Sequence, residues 1–238
     1  HQAGRVRRVK MITYRNGILP EYDTTDDNKV KIEVLGPVTY KPSGKREFPV
    51  FGEPPHIDDI HEDEKQGYSH SHMRNGHSLV LKLYFGNHTF LFGGDLNIPA
   101  EQYLMNHYGD QNPFKVDIAK SCHHGSSDFS VKFIKKINAR ATVCSSGDNK
   151  TFDHPMPDSL GACAKHGRGN IPLVFSTELG RAYKIRSAKK LEDIKTNYGL
   201  INIRSNGKLL VIAQKKESSK GADKWDSFDV PFKGKYKQ

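Results

Sequence analysis

The sequence has little of what would place it in several large classes. Cysteine occurs three times, as Cys122, Cys144 and Cys163, an odd number without any C-x-x-C spacing. That argues against a disulfide framework and fits a reducing, cytoplasmic compartment. No apolar run approaches the ~18 residues of a membrane span. The opening His1-Gln2-Ala3-Gly4-Arg5-Val6-Arg7-Arg8-Val9-Lys10 lacks the apolar core that follows the charges of a signal peptide. Hydrophobic residues make up only 35% of the chain, so polar loops are extensive. Charged residues, at 27%, are ordinary for a folded protein and argue against wholesale disorder. A chain of 238 residues can bury a core of its own.

Positive charge is present, and it is unevenly spread. The net balance is +10, yet residues 1–75 carry twelve basic and twelve acidic side chains. The excess is central and C-terminal, and the last 52 residues hold twelve basic against six acidic. A basic field favours polyanions such as nucleic acid, although a solubilising lysine-rich surface explains it equally well. Lys215, Lys216, Lys220 and Lys224, with Trp225 nearby, are candidates to track phosphates and stack a base. A solvated tail is the alternative.

Three regions follow from the pattern: a polar, loop-rich segment over 1–75, a core over 76–214 and a basic tail over 215–238. In the first, Val30 to Leu35 alternates as a strand and ends at Gly36-Pro37. The stretch from Pro42 to Glu64, rich in proline, glycine and acid, reads as a long loop. In the core, Ser78–Phe85 and His88–Phe92 form a hairpin about Gly86-Asn87. A helix starts at Pro99 and ends near Gly109. Strands over 116–121, 141–144 and 172–175 alternate with helices over 129–137 and from 155 to about 167. That alternation indicates an α/β arrangement. Strands at Gly199–Arg204 and Lys208–Ala213 flank an Asn206-Gly207 turn.

Histidines gather at the ends of these strands. A turn at Gly86-Asn87 pairs Phe85 with His88 and, carried outward, sets Ser78 opposite Asp95 with His77 beside it. A histidine and an aspartate converging there suit a divalent metal, or a hydrogen bond that merely closes the sheet. His123 and His124 follow the next strand, and Ser146, Asp148 and His154 follow the one after. In α/β folds the C-terminal strand edge is where ligands bind. Capping and turn formation would explain each histidine singly, but not their coincidence at three strand ends.

The blocks Asn75-Gly76-His77-Ser78-Leu79-Val80-Leu81, Phe90-Leu91-Phe92-Gly93-Gly94-Asp95-Leu96, Val116-Asp117-Ile118-Ala119-Lys120 with His123-His124-Gly125-Ser126, and His154-Pro155 together resemble the metallo-β-lactamase-fold hydrolases. More narrowly they resemble the branch typified by the hydrolase domain of the DNA-uptake protein ComEC, over residues 30–214. The resemblance implies a four-layer αββα sandwich of mixed sheets and hydrolysis assisted by two divalent ions, zinc or manganese. It implies that Asp95 bridges the two metals, that His77 is a further ligand, and that one of His123 and His124 holds the second metal. The other, with His154, would meet the scissile phosphate or leaving group.

The first ligand block of that family, H-x-H-x-D-H, is missing. His70-Ser71-His72 comes too late in the order, and His56 to His61 has the wrong spacing, so both read as polar loop. The expectation is therefore the C-terminal portion of a longer hydrolase, with the N-terminal half upstream or on a separate chain. Cys122 reads as a small buried residue rather than a soft ligand. The function expected is a metal-dependent phosphodiesterase or nuclease acting on nucleic acid. A hydrolase of a small phosphodiester or ester is one alternative. A metal-free degenerate module binding nucleic acid or a partner subunit is another.

Overall fold

The computed structural model describes residues 12–39, 48–49, 70–147, 152, 154–178, 199–215 and 225–231. Six strands form one mixed sheet in sequence order: β1 (Lys31–Gly36), β2 (Val80–Phe85), β3 (His88–Phe92), β4 (Ile118–Lys120), β5 (Ala141–Cys144) and β6 (Leu173–Ser176). The first three pair antiparallel and the remaining pairs are parallel. Three more, β7 (Ile201–Ser205), β8 (Leu210–Lys215) and β9 (Trp225–Asp229), make an antiparallel second sheet.

Four helices are described: α1 (His70–Gly76), α2 (Ile98–Tyr108), α3 (Val131–Ile137) and α4 (Pro157–His166). The main sheet buries both faces. On one, Leu91, Leu104, Phe114, Val116, Phe133 and Ile137 make a core with the helices. On the other, Ile118, Ala141 and Phe175 meet Leu210, Ile212 and Val230 of the second sheet. The result is the expected α/β sandwich. Among the described residues it has three layers, helices, mixed sheet and small sheet. Among the described residues no helix is long and apolar enough to cross a membrane.

Local sequence explains most boundaries. Asn97 caps α2 by accepting from the Ala100 amide, Pro99 sits in the first turn, and Gly109 ends the helix with φ +55°. The β2–β3 hairpin turns through Gly86 and Asn87 with Phe85 opposite His88, as the sequence predicts.

Three expectations need correction. His70-Ser71-His72, read as polar loop, opens α1 over residues 70–76, although the motif has no apolar periodicity of its own. Tertiary bonds hold it: the Asn97 side-chain Nδ2 donates to the His72 carbonyl at 2.7 Å, and His72 Nε2 lies 3.0 Å from Asp128 Oδ2. Within the span assigned to a basic tail, Trp225–Asp229 is the strand β9, paired with β8. Finally, Asn206-Gly207 is part of a four-residue loop, since Ser205 pairs with Leu210. Gly207 approaches Gly86 so closely that a Cβ on Gly86 would lie 2.4 Å from Gly207 Cα, and the Asn87 amide donates to the Gly207 carbonyl. The two hairpin turns thus dock backbone to backbone.

Candidate active site

The parallel strands β3, β4 and β5 all end on the same edge of the sheet, and each is followed by a polar loop. After β3, Gly93-Gly94-Asp95 turns sharply. Its glycines are required, because a Cβ on Gly93 would meet Cys122 Sγ at 2.5 Å and one on Gly94 would meet Ser78 at 2.7 Å. Ser78 Oγ accepts from the Asp95 amide at 2.9 Å, the pairing the hairpin register predicts. Lys120 Nζ bonds the carbonyls of Gly94 and Ser121 and ties this loop to the end of β4.

After β4 the chain makes one 3₁₀ turn over Cys122–Gly125. His123 and His124 both sit in the left-handed region, with φ of 47° and 54°. Histidine is enriched there among non-glycine residues, but such a conformation costs about 1–3 kcal/mol per residue and persists only where the surroundings impose it. Here the His123 amide donates to the Gly94 carbonyl and the Gly125 carbonyl accepts from the Met156 amide. A Cβ on Gly125, itself at φ +80°, would meet Pro155 Cβ at 2.8 Å. The histidine turn is clamped between the Asp95 loop and the His154-Pro155 segment.

The loop after β5 is braced by the end of β6. The Ser146 amide donates to Thr177 Oγ1, whose hydroxyl donates to the Ser146 carbonyl, and Ser146 Oγ lies 3.2 Å from Ser176 Oγ. This gives the Ser176-Thr177 segment a physical role.

These loops enclose an open cavity of about 540 Å³ whose lining includes Asp95, His123, His124 and His154. Three strand ends therefore bring four of the predicted side chains together. His124 Nδ1 donates to the Ser145 carbonyl at 2.6 Å, which fixes the ring and turns Nε2 toward Asp95 Oδ1 at 3.3 Å. His123 faces the other way, with Nε2 3.4 Å from the Asn75 amide nitrogen and its ring 5.7 Å from that of His154. Its Nδ1 is buried without a hydrogen-bond partner among the described residues. Burial holds its pKa below the usual histidine range, against the opposing pull of Asp95 and Asp128.

His77 is not among the residues lining this cavity. Its Nε2 donates to the Pro49 carbonyl at 2.9 Å and its ring stacks on Phe48. The strand pattern stops at Val80, and α1 ends just before His77, so extending the pleat to 77 puts the wrong side chain at the site. Asn75, on the last turn of α1, lines the cavity instead. Asn75, Ser145 and Phe152 also line it and were not singled out from the sequence. Asn75 stands in the same block as His77, and only the helix reveals which of the two points inward. Lys215 ends β8, opposite Trp225. Lys216, Lys220 and Lys224, like His56 and His61, lie outside the described residues. The thiols do not suit the role of ligands: burial pushes Cys122 upward, Cys144 to about 11 and Cys163 to about 12.

Among known proteins the chain is similar in part to two competence proteins. It is 31% identical over 94 residues to ComE operon protein 3 of Bacillus subtilis, and 31% identical over 94 residues to competence protein ComA of Neisseria gonorrhoeae. A 72-residue segment is 32% identical to the uncharacterized protein YcaI of Escherichia coli. The competence-protein matches cover 39% of this chain but only 12% and 13% of those relatives. The match is partial on both sides. No family model matches the chain.

Carboxylate and imidazole are suitable donors for zinc or manganese. Their number falls short, because among the described residues no group of three or more His, Cys, Asp or Glu side chains is placed to hold a metal ion. The described donor set does not amount to a two-metal centre.

Proposed function

We propose that the chain forms one side of the active site of a phosphodiester hydrolase acting on nucleic acid. The observation that carries the reading is the convergence of Asp95, His123, His124 and His154 from three successive strand ends onto one open cavity. Net charge of +10 and the partial similarity to competence proteins support a polyanionic substrate.

The side chains suit proton transfer at phosphorus. His124 has one nitrogen committed to the Ser145 carbonyl and the other facing the Asp95 carboxylate, so its Nε2 can take a proton and share it with Asp95. A water attacking phosphorus would pass its proton to that nitrogen as the new P–O bond forms. His154 would hydrogen-bond the phosphate or return a proton to the leaving oxygen as the old P–O bond breaks. His123, held neutral by burial, would complete the wall behind them. The two divalent ions belong to the same proposal, and their further donors would come from outside the described residues.

The test is hydrolysis of end-labelled single- and double-stranded DNA and RNA, beside a small chromogenic phosphodiester, with and without added Zn²⁺ or Mn²⁺. The expected result is cleavage of the polymers that Asp95→Ala abolishes. Cleavage of the small diester alone would move the assignment to a small-substrate hydrolase. No cleavage of any diester, together with salt-dependent DNA binding in chelator, would make the chain a binding module.

A further inference from the structure

Phe152 is unusual among the residues lining the cavity. It is 56% exposed, although it lines the wall of a site otherwise built from polar groups. Its ring lies 5.8 Å from that of His154 at 23°, an offset-stacked arrangement. His154 in turn meets His123 edge-on. Three rings therefore run in contact from Phe152 through His154 to His123, on the same cavity that holds the Asp95–His124 pair.

The placement is built rather than incidental. Pro155 is fully buried against Gly125, and the Met156 amide is bonded to the Gly125 carbonyl. That anchorage fixes His154, and the stacking on His154 carries Phe152 with it. The polar groups of the cavity account for a phosphate and a water, but none of them accounts for a half-exposed apolar ring. A flat π-face beside a phosphate-handling site is what a nucleobase stacks on, and such stacking tolerates any base.

Resting on the hydrolase reading above, we infer that Phe152 is a base-stacking residue. It seats the unpaired base next to the scissile phosphate, so the substrate is a single strand or a frayed end. A base paired within a duplex has no free face to offer.

The test uses two fluorescent oligonucleotides of equal length, one of thymidines and one with abasic sugars throughout, titrated into the whole chain and into Phe152→Ala and Phe152→Trp. The expected result is tighter binding of the thymidine strand by about ten- to hundredfold. Phe152→Ala should erase that difference while leaving affinity for the abasic strand unchanged. Phe152→Trp should keep it, and its fluorescence should be quenched by the thymidine strand only. Equal binding of both strands by the unaltered chain, or an undiminished preference in Phe152→Ala, would overturn base stacking and leave the hydrolase reading standing. Binding of neither strand, with the small diester still cleaved, would overturn the nucleic-acid reading and the stacking inference together.

Discussion

The two ends of the same parallel strands are built on opposite principles. At the amino-terminal ends of β4 and β5, Asp117 is saturated. Its Oδ1 accepts from Arg168 Nη2 at 2.7 Å and Arg140 Nε at 3.2 Å, and its Oδ2 accepts from the amide and hydroxyl of Thr89. Arg168 donates further to the carbonyls of Val116, through Nη2, and Asn138, through Nε. At the carboxy-terminal ends, two successive histidines are held in the left-handed region, and a buried ring nitrogen of His123 has no hydrogen-bond partner among the described residues. Charge at one end is spent on holding the fold. At the other, polar groups are held at a cost and left facing a cavity. The difference separates a structural ion cluster from a candidate active site, though both are made of the same residue types.

Substitutions at the two ends should therefore separate activity from stability. The largest effect is expected for Asp95→Ala, which should lower phosphodiester hydrolysis on the order of 10³-fold while the circular-dichroism spectrum and denaturant midpoint stay put. Asp117→Ala should do the reverse. Leaving Arg168 and Arg140 without their carboxylate should cost about 3 kcal/mol in urea unfolding, with turnover per folded molecule unchanged. Loss of activity with full stability in Asp117→Ala would erase the distinction.

Gly125→Ala tests the coupling between loops. An added methyl, in a left-handed backbone and against Pro155, should shift His154 and lower activity roughly tenfold or more, with a smaller loss of stability. Next comes Glu101, buried beneath the start of α3, where its Oε2 accepts from the Ser130 amide. Burial raises its pKa well above the ordinary 4.5. The folded chain then holds the proton more tightly than the unfolded one, so stability falls as pH rises above 4.5 and Glu101 contributes no such loss below it. Glu101→Gln keeps an acceptor and removes the charge. Its stability gain should be about 1 kcal/mol at pH 7 and vanish on acidification. The smallest effect is expected for Lys215→Ala, which should weaken binding to different DNA sequences alike and reduce the salt slope by about one.

Elements with a pattern of their own were legible in the sequence. The hairpin through Gly86-Asn87, the strand 141–144 and the helix capped by Asn97 all carry local signals strong enough to fix them. Helix α1 does not, since His70-Ser71-His72-Met73-Arg74-Asn75-Gly76 has one apolar side chain, Met73, and so no apolar stripe, and it is held by Asn97 and Asp128 from elsewhere. The same limit governs the site. Asp95, His123, His124 and His154 could be read because each follows a recognisable strand. Asn75 could not be told from His77, because the choice depends on where an unsignalled helix stops. Phe152 had no pattern at all, since an exposed aromatic in a loop declares itself only through its neighbours in space.

The contact between Gly86 and Gly207 bears on how this protein could be rebuilt. It joins the two sheets at the turn that precedes β3, the end of that strand remote from Asp95. The sandwich is in effect bolted at its back by this contact, and pinned again where Gln214 Nε2 donates to the Ser176 carbonyl below the Ser146 loop. The Asp95 loop and the histidine turn take no part in either joint, so they can be exchanged or lengthened without reopening the seam between the sheets. A side chain at Gly86 would act as a wedge in that seam and loosen the whole assembly without touching a single group at the rim.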